Sequence, residues 1–159
     1  MLVEEMTVED CRKAMSSAVF GRLASAQDGQ PYVVPVSFAV DGDYAYLFSM
    51  PGQKVDRMRK NPRVCLEVDN VNSQSTWMSI VVLGRYEELP DTPDGRPERM
   101  RAQELLKGHP SWWLPGAVAD ADRVVPKNVT PVFYRIFMEH LTGRRGVPAP
   151  DEAAATARA

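Results

Sequence analysis

The chain of 159 residues is 44% hydrophobic, which is enough apolar material for one core, so a single domain is expected. Its 19 Lys plus Arg against 21 Asp plus Glu leave a net charge of −2, which argues against nucleic acid as a partner. No apolar run approaches the roughly 20 residues that cross a bilayer, and the short acidic opening and two cysteines point to a cytoplasmic protein with free thiols.

In chain order, residues 7–16 are predicted as a helix, with Thr7 as N-cap, Glu9 and Asp10 in the first turn, and Cys11, Ala14 and Met15 on the buried side. A strand from 19–25 follows, and the turn Gln27-Asp28-Gly29-Gln30 makes 20–26 and 32–40 a first hairpin. Asp41-Gly42-Asp43 turns the chain into a third strand, 44–49. That strand breaks at Pro51-Gly52 and delivers Lys54 to a short helix, 53–61, in which Val55 and Met58 share a face and Asn61-Pro62 is the stop. Residues 63–68 alternate as a fourth strand, and 77–89 form a long fifth one with Gly84 as a bulge or bend.

A loop bounded by prolines, 90–97, leads into an amphipathic helix, 98–107, with Met100, Leu105 and Leu106 toward the core and Gly108 as its end. The stretch 109–116 sets Trp112 and Trp113 between prolines; two adjacent tryptophans are costly to leave in water, so this excursion is expected to cross the surface or meet a partner subunit. Residues 132–140 alternate as a sixth strand. The domain is expected to occupy 1–146, and the Pro, Ala and acidic composition of 147–159 reads as a disordered tail. Six strands with short connections and a few small helices predict a mainly β, α+β fold, an antiparallel barrel with helical additions.

Side chains for acid–base or metal chemistry are scarce. His109 and His140 lie far apart and fit no metal spacing, and no G-x-S-x-G, Walker A or G-x-G-x-x-G pattern occurs. What stands out is a strand, a glycine turn and a helix start carrying Lys54, where free N–H groups and a cation face the same way and make an anion seat. The neighbouring Arg57, Arg59, Lys60 and Arg63 read mostly as a solvated helix face. Such an arrangement suits a protein that holds a phosphorylated planar cofactor and leaves the reactivity to it.

The stretches Phe20-Gly21-Arg22-Leu23-Ala24, Pro31-Tyr-Val-Val-Pro35-Val36-Ser37-Phe38, Gly52-Gln53-Lys54 with the helix ending Asn61-Pro62, and Ser79-Ile-Val-Val-Leu-Gly84-Arg with Glu87-Glu88-Leu89 occur in this order. In that order and spacing they resemble the pyridoxamine 5′-phosphate oxidase-related superfamily, and within it the branch of nitroimidazole-resistance (Nim-type) proteins. The resemblance covers roughly 7–144 and implies a six-stranded split β-barrel homodimer with FMN at the subunit interface. It places Val34, Pro35, Val36 and Ser37 along the flavin ring and ribityl chain, partly through backbone groups, and Ser49 and Met50 at the ribityl and phosphate. Gly52, Gln53 and Lys54 are implied to hold the phosphate, Trp77 and Ser79 to lie close to the cofactor, and Trp112, Trp113 and Arg144 to come from the second subunit.

The resemblance has departures. Gln53 stands where the oxidases have an arginine beside the phosphate lysine, the strand carries Val and Ser37 in place of a basic residue, and the substrate-binding Arg and His segment is missing, which argues against vitamin B6 oxidation. Phe48-Ser49-Met50 offers no histidine of the Nim type, which argues against nitroimidazole reduction. The leading expectation is therefore an FMN-dependent oxidoreductase that passes electrons from a nicotinamide donor to a small organic acceptor. One alternative is an F420-dependent reductase of the same fold, with Arg57, Arg59, Lys60 and Arg63 as a basic groove; another is a flavin- or haem-binding protein without turnover.

Overall fold

The structure is a computed structural model that describes residues 1–107 and 130–149. Its elements in chain order are β1 (Leu2–Glu5), α1 (Val8–Ser17), β2 (Phe20–Gln27), β3 (Gln30–Ser37), β4 (Ala39–Asp41), β5 (Tyr44–Ser49), α2 (Gln53–Lys60), β6 (Arg63–Val71), β7 (Trp77–Glu88), α3 (Arg96–Leu106) and β8 (Val132–Val147). The strands form one antiparallel sheet in the order β3-β2-β6-β7-β8-β5-β4, with β1 added beside the end of β8. The mainly β, α+β class expected from the sequence is present, with eight strands rather than six.

The local signals explain most boundaries. Thr7 caps α1 by accepting from the Asp10 N–H at 3.1 Å, and Cys11 and Met15, four residues apart, bury one face of that helix. Asp28 and Gly29 both take positive φ, 52° and 76°, as the two-residue turn between Gln27 and Gln30 requires. Gly84 sits at the register shift between β7 and β8. A Cβ there would come within 2.7 Å of Ile136 Cγ2, so the bend depends on glycine.

The two extra strands have different origins. The stretch expected as one strand, 32–40, is divided at Phe38: β3 pairs with β2 at one edge of the sheet, whereas β4 pairs with β5 at the other. Burial explains the break, because Val36, Ser37, Phe38 and Ala39 are all buried and alternation fails where the chain passes between the edges. The sheet must therefore curl until its two edges meet at Phe38. The other extra strand, β1, is exposed at all four positions and has no local apolar pattern; its pairing with β8 is a long-range event.

Two further expectations are corrected. The last strand does not stop at His140 but runs to Val147, because Gly143 and Gly146 are places of close approach rather than terminators. A Cβ on Gly143 would lie 2.6 Å from Cys11 Sγ, and one on Gly146 2.7 Å from Trp77 Cδ1. In α3, Met100 faces solvent at 61% exposure; Ala102 and Leu106 are the buried pair, and Ala102 packs with Tyr46 and Leu89. The tail expected from residue 147 lies, beyond Ala149, outside the described residues.

Inside the curled sheet, Leu23, Val36, Phe38, Leu47, Val55, Met58, Leu66, Ile80, Val82, Tyr134 and Ile136 belong to one buried cluster. Tyr134 is fully buried beside Tyr86, at 5.2 Å between ring centroids, and its hydroxyl has no hydrogen-bond partner among the described residues. A buried hydroxyl without a partner is a net loss. Tyr134→Phe is therefore expected to leave stability unchanged or raise it by up to about 1 kcal/mol, read from urea unfolding; a loss of that size would mean the hydroxyl is bonded after all. Among the described residues, no helix is long and apolar enough to cross a membrane.

Candidate functional site

The rung between Ala39 and Tyr46 fixes one corner of the fold. Ser37 lies two residues before it and Ser49 three residues after, so both extend beyond the same end of that ladder. Ser49 is buried and donates its hydroxyl to the Met50 carbonyl at 3.1 Å. The chain then passes Pro51 and Gly52 into α2, whose N-terminus carries no side-chain cap, so its first N–H groups are available to a ligand. Gly52 has open space around it, and a Cβ there would meet nothing within 4 Å.

The far side of α2 is firmly anchored. Val55 and Met58 enter the core, Arg59 grips Glu88 through two bonds of 2.8 and 2.7 Å, and Asn61 Nδ2 donates to the Ala26 carbonyl at 2.9 Å. Arg57 Nη1 donates to the Gln30 carbonyl at 3.2 Å while its guanidinium stacks over Tyr32 at 5.0 Å. These contacts lay α2 against β2, with its C-terminal end at the β2–β3 turn and its N-terminal end following the Ser49 corner. Lys54, half-buried in the first turn, has no hydrogen-bond or ion-pair partner among the described residues. Burial lowers its pKa. An ammonium that has lost water without gaining a carboxylate favours an anion beside it.

Glu88 also reports on this anchor. The Arg59 guanidinium, with the Tyr86 hydroxyl at 2.8 Å, holds its carboxyl below the ordinary value of 4.5. A depressed carboxyl contributes stability above its unfolded pKa and loses it as pH falls through the folded one. The stability gap between the wild type and Glu88→Gln is thus expected to shrink in urea titrations as pH drops below about 4.5; a gap constant down to pH 3 would show that the pair contributes nothing.

Along β3 the nominated residues divide by face. Val34 and Val36 point inward, Val36 at 2% exposure, so any part they play in a site is through the backbone. Pro35 is exposed, and Ser37 is buried with its Oγ unbonded among the described residues. The Phe38 N–H donates to the Val19 carbonyl at 3.1 Å, which turns the even-numbered residues of this edge toward β2 and the odd-numbered ones away. Pro35, which has no N–H, accordingly sits with its carbonyl on the free edge, together with the backbone groups of Ser37.

Trp77, Ser79 and Arg144 gather elsewhere. With Glu5, Met6 and Thr142 they line a cleft of about 620 Å³ on the outer face of β7 and β8. Ser79 stands between Asp69 and Arg144 in the sheet and donates its hydroxyl to Glu67 at 3.3 Å; Glu67 also faces Arg22 at 3.5 Å. Three strand spacings, roughly 14 Å, separate β3 from β7. The nominated residues thus form two groups in one chain, the corner at Lys54 and the cleft at Trp77. Trp112, Trp113 and His109 lie outside the described residues; His140 is exposed, and no metal-binding cluster occurs among the described residues. Cys11 and Cys65 are both free.

The basic stretch is not uniform, which its composition did not reveal. Arg59 is committed to Glu88, which removes one member of the groove that an F420 tail needs. Arg57, grouped in the sequence with a solvated face, is instead half-buried against Tyr32, a long-range contact with no local signal.

A family model described as pyridoxamine 5′-phosphate oxidase matches residues 7–145. An uncharacterized protein of Rhizobium meliloti is 40% identical over 144 residues, which cover 91% of this chain and 95% of that one. A crystal structure of a FAD-binding protein from Mesorhizobium loti is 43% identical, covers 92% of this chain and 99% of its own, and superposes with a TM-score of 0.77. A FAD-binding protein of Mycobacterium smegmatis, at 19% identity over 93% of this chain and 100% of its own, shares the fold with a TM-score of 0.62.

Proposed function

The chain belongs to the pyridoxamine 5′-phosphate oxidase family, and from that premise we propose that it binds a flavin phosphate, FMN foremost, at the Lys54 corner and works as a flavin-dependent oxidoreductase. The observation that carries this reading is Lys54 itself: a half-buried cation without a carboxylate partner among the described residues, in the first turn of a helix with no side-chain cap. Lys54 and the N–H groups of α2 hold the phosphate, with Gly52 and Gln53 forming the approach. Ser49 and Met50 flank the ribityl chain, and the free edge of β3 offers the Pro35 carbonyl and the Ser37 amide and hydroxyl to the ring.

A bound flavin supplies hydride or single-electron transfer between a nicotinamide donor and a small organic acceptor, so the chain's own residues need only bind, orient and exclude water. A second copy of the chain completes the site in this reading. Support comes from the outer sheet face, where Val33 and Leu83 are 62% and 52% exposed, and from the distance between the Trp77 cleft and the corner in one chain. Trp77, Ser79 and Arg144 of one protomer then close over the flavin of the other.

The name of the Mesorhizobium loti relative favours FAD as the second reading of the cofactor. Titration of the purified protein with FMN and FAD, followed by flavin fluorescence and by sedimentation, tests both cofactor and dimer. Tight binding by a dimer is expected. Protein that stays colourless after either flavin is added and the excess removed overturns the proposal. Reoxidation of the reduced holoprotein by candidate acceptors, measured by stopped flow, separates an enzyme from a carrier; a carrier reoxidises no faster than free flavin.

A further inference from the structure

The four residues of β1 are all exposed, so the strand buries no side chain on either face. Side-chain packing supplies much of what holds a strand to its sheet, and without it β1 relies on its ladder to β8 and on charge. The charge is arranged as a clasp. Arg145 Nε donates to the Glu4 carboxylate at 3.0 Å, and Nη1 of the same guanidinium lies 3.8 Å from Asp10 in the first turn of α1. The three side chains are each 44% exposed, where dissolved salt screens their attraction.

The strand ends on a firm hinge. The Met6 N–H donates to the Gly143 carbonyl at 2.9 Å, the Met6 side chain packs against the core, and Thr7 caps α1 directly after it. β1 is also a wall, because Glu5 and Met6 line the same cleft as Trp77 and Arg144. Val3, Gly146 and Trp77 share one row of the sheet, and the indole lies over Gly146, so it reaches toward β1 across a residue with no side chain.

We propose that β1 is a strap hinged at Met6, and that its clasp to Arg145 sets, through ionic strength, how open the Trp77 cleft is. Lifting the strap uncovers Trp77 and withdraws the Glu5 carboxylate from its place opposite Arg144. The inference goes beyond the flavin reading and is tested without any ligand, so neither depends on the other.

In an antiparallel strand the N–H groups alternate between the two neighbours. The bond from Met6 to Gly143 turns the odd-numbered residues of this part of β8 toward β1, so the Arg145 amide reports on β1, whereas those of Arg144 and Gly146 report on β7. Hydrogen exchange of these three amides is followed by NMR on the full-length protein and its Glu4→Gln and Glu5→Gln variants. At low salt the Arg145 amide is expected to exchange at least about tenfold faster than the other two. Glu4→Gln, or about 0.5 M NaCl on the wild type, should raise the Arg145 rate roughly two- to fivefold and leave Arg144 and Gly146 unchanged. Salt should add little to Glu4→Gln, and Glu5→Gln, which removes the same charge but no ion pair, should behave as the wild type. The Trp77 indole N–H resonance, assigned with Trp77→Phe, should shift with the same salt dependence. An Arg145 amide as slow as its neighbours, or three amides that quicken together, overturns the strap. Equal acceleration by Glu5→Gln, or none by Glu4→Gln, overturns the clasp, and an indole resonance indifferent to salt overturns the link to the cleft.

Discussion

Lys54→Ala is expected to weaken flavin binding by about 1–3 kcal/mol, roughly five- to 150-fold in dissociation constant, the range for losing a charge-assisted hydrogen bond. The fold should not suffer with it. Among the described residues Lys54 has no partner to abandon, and burial already disfavours its charged form, so the melting temperature of the flavin-free variant should match or slightly exceed that of the wild type. The combination is diagnostic, because a lysine kept for stability would show the opposite pattern. An unchanged affinity in a fluorescence titration would move the phosphate to another part of the molecule.

Phe38→Ala is expected to be the most damaging change to the fold. The ring is fully buried at the single residue between β3 and β4, where the two edges of the sheet meet. Truncating a buried phenylalanine removes about 3–5 kcal/mol, which for a chain of this size lowers the melting temperature by roughly 10 °C. Ser37 and the free edge of β3 are positioned by the same joint, so the variant should also bind flavin less tightly at temperatures where it remains folded. Urea unfolding that reported a loss below about 1 kcal/mol would mean that the joint is loosely packed.

These two positions also mark what could be read in advance. The place of Lys54 in the first turn of a helix was legible because its signal is local: a strand end, a glycine and a helix start lie within a few residues. The Asp28-Gly29 turn, the α1 cap and the Gly84 bulge were legible for the same reason. Phe38 was not, since Val-Ser-Phe-Ala continues an ordinary strand pattern and only the pairing of its two sides with different strands reveals the break. β1 escaped notice because its partner is more than 130 residues away in the chain. The extension of β8 from His140 to Val147 was not legible because alternation stops there, and only the close approach of Cys11 to Gly143 and of Trp77 to Gly146 shows why glycines suit a strand. In the candidate site, spacing brought out the Lys54 corner, but it could not divide the nominated residues between that corner and the Trp77 cleft.

The sixteen-residue strand β8 borders β7, β5 and β1. Until it is in place, β4 and β5 have no hydrogen-bonded link to the β3-β2-β6-β7 half, and β1 has nothing to pair with. A growing polypeptide on the ribosome therefore cannot finish this sheet until residues 132–147 have left the exit tunnel. Its earlier segments, with strand edges open, are the ones most in need of a chaperone in the meantime.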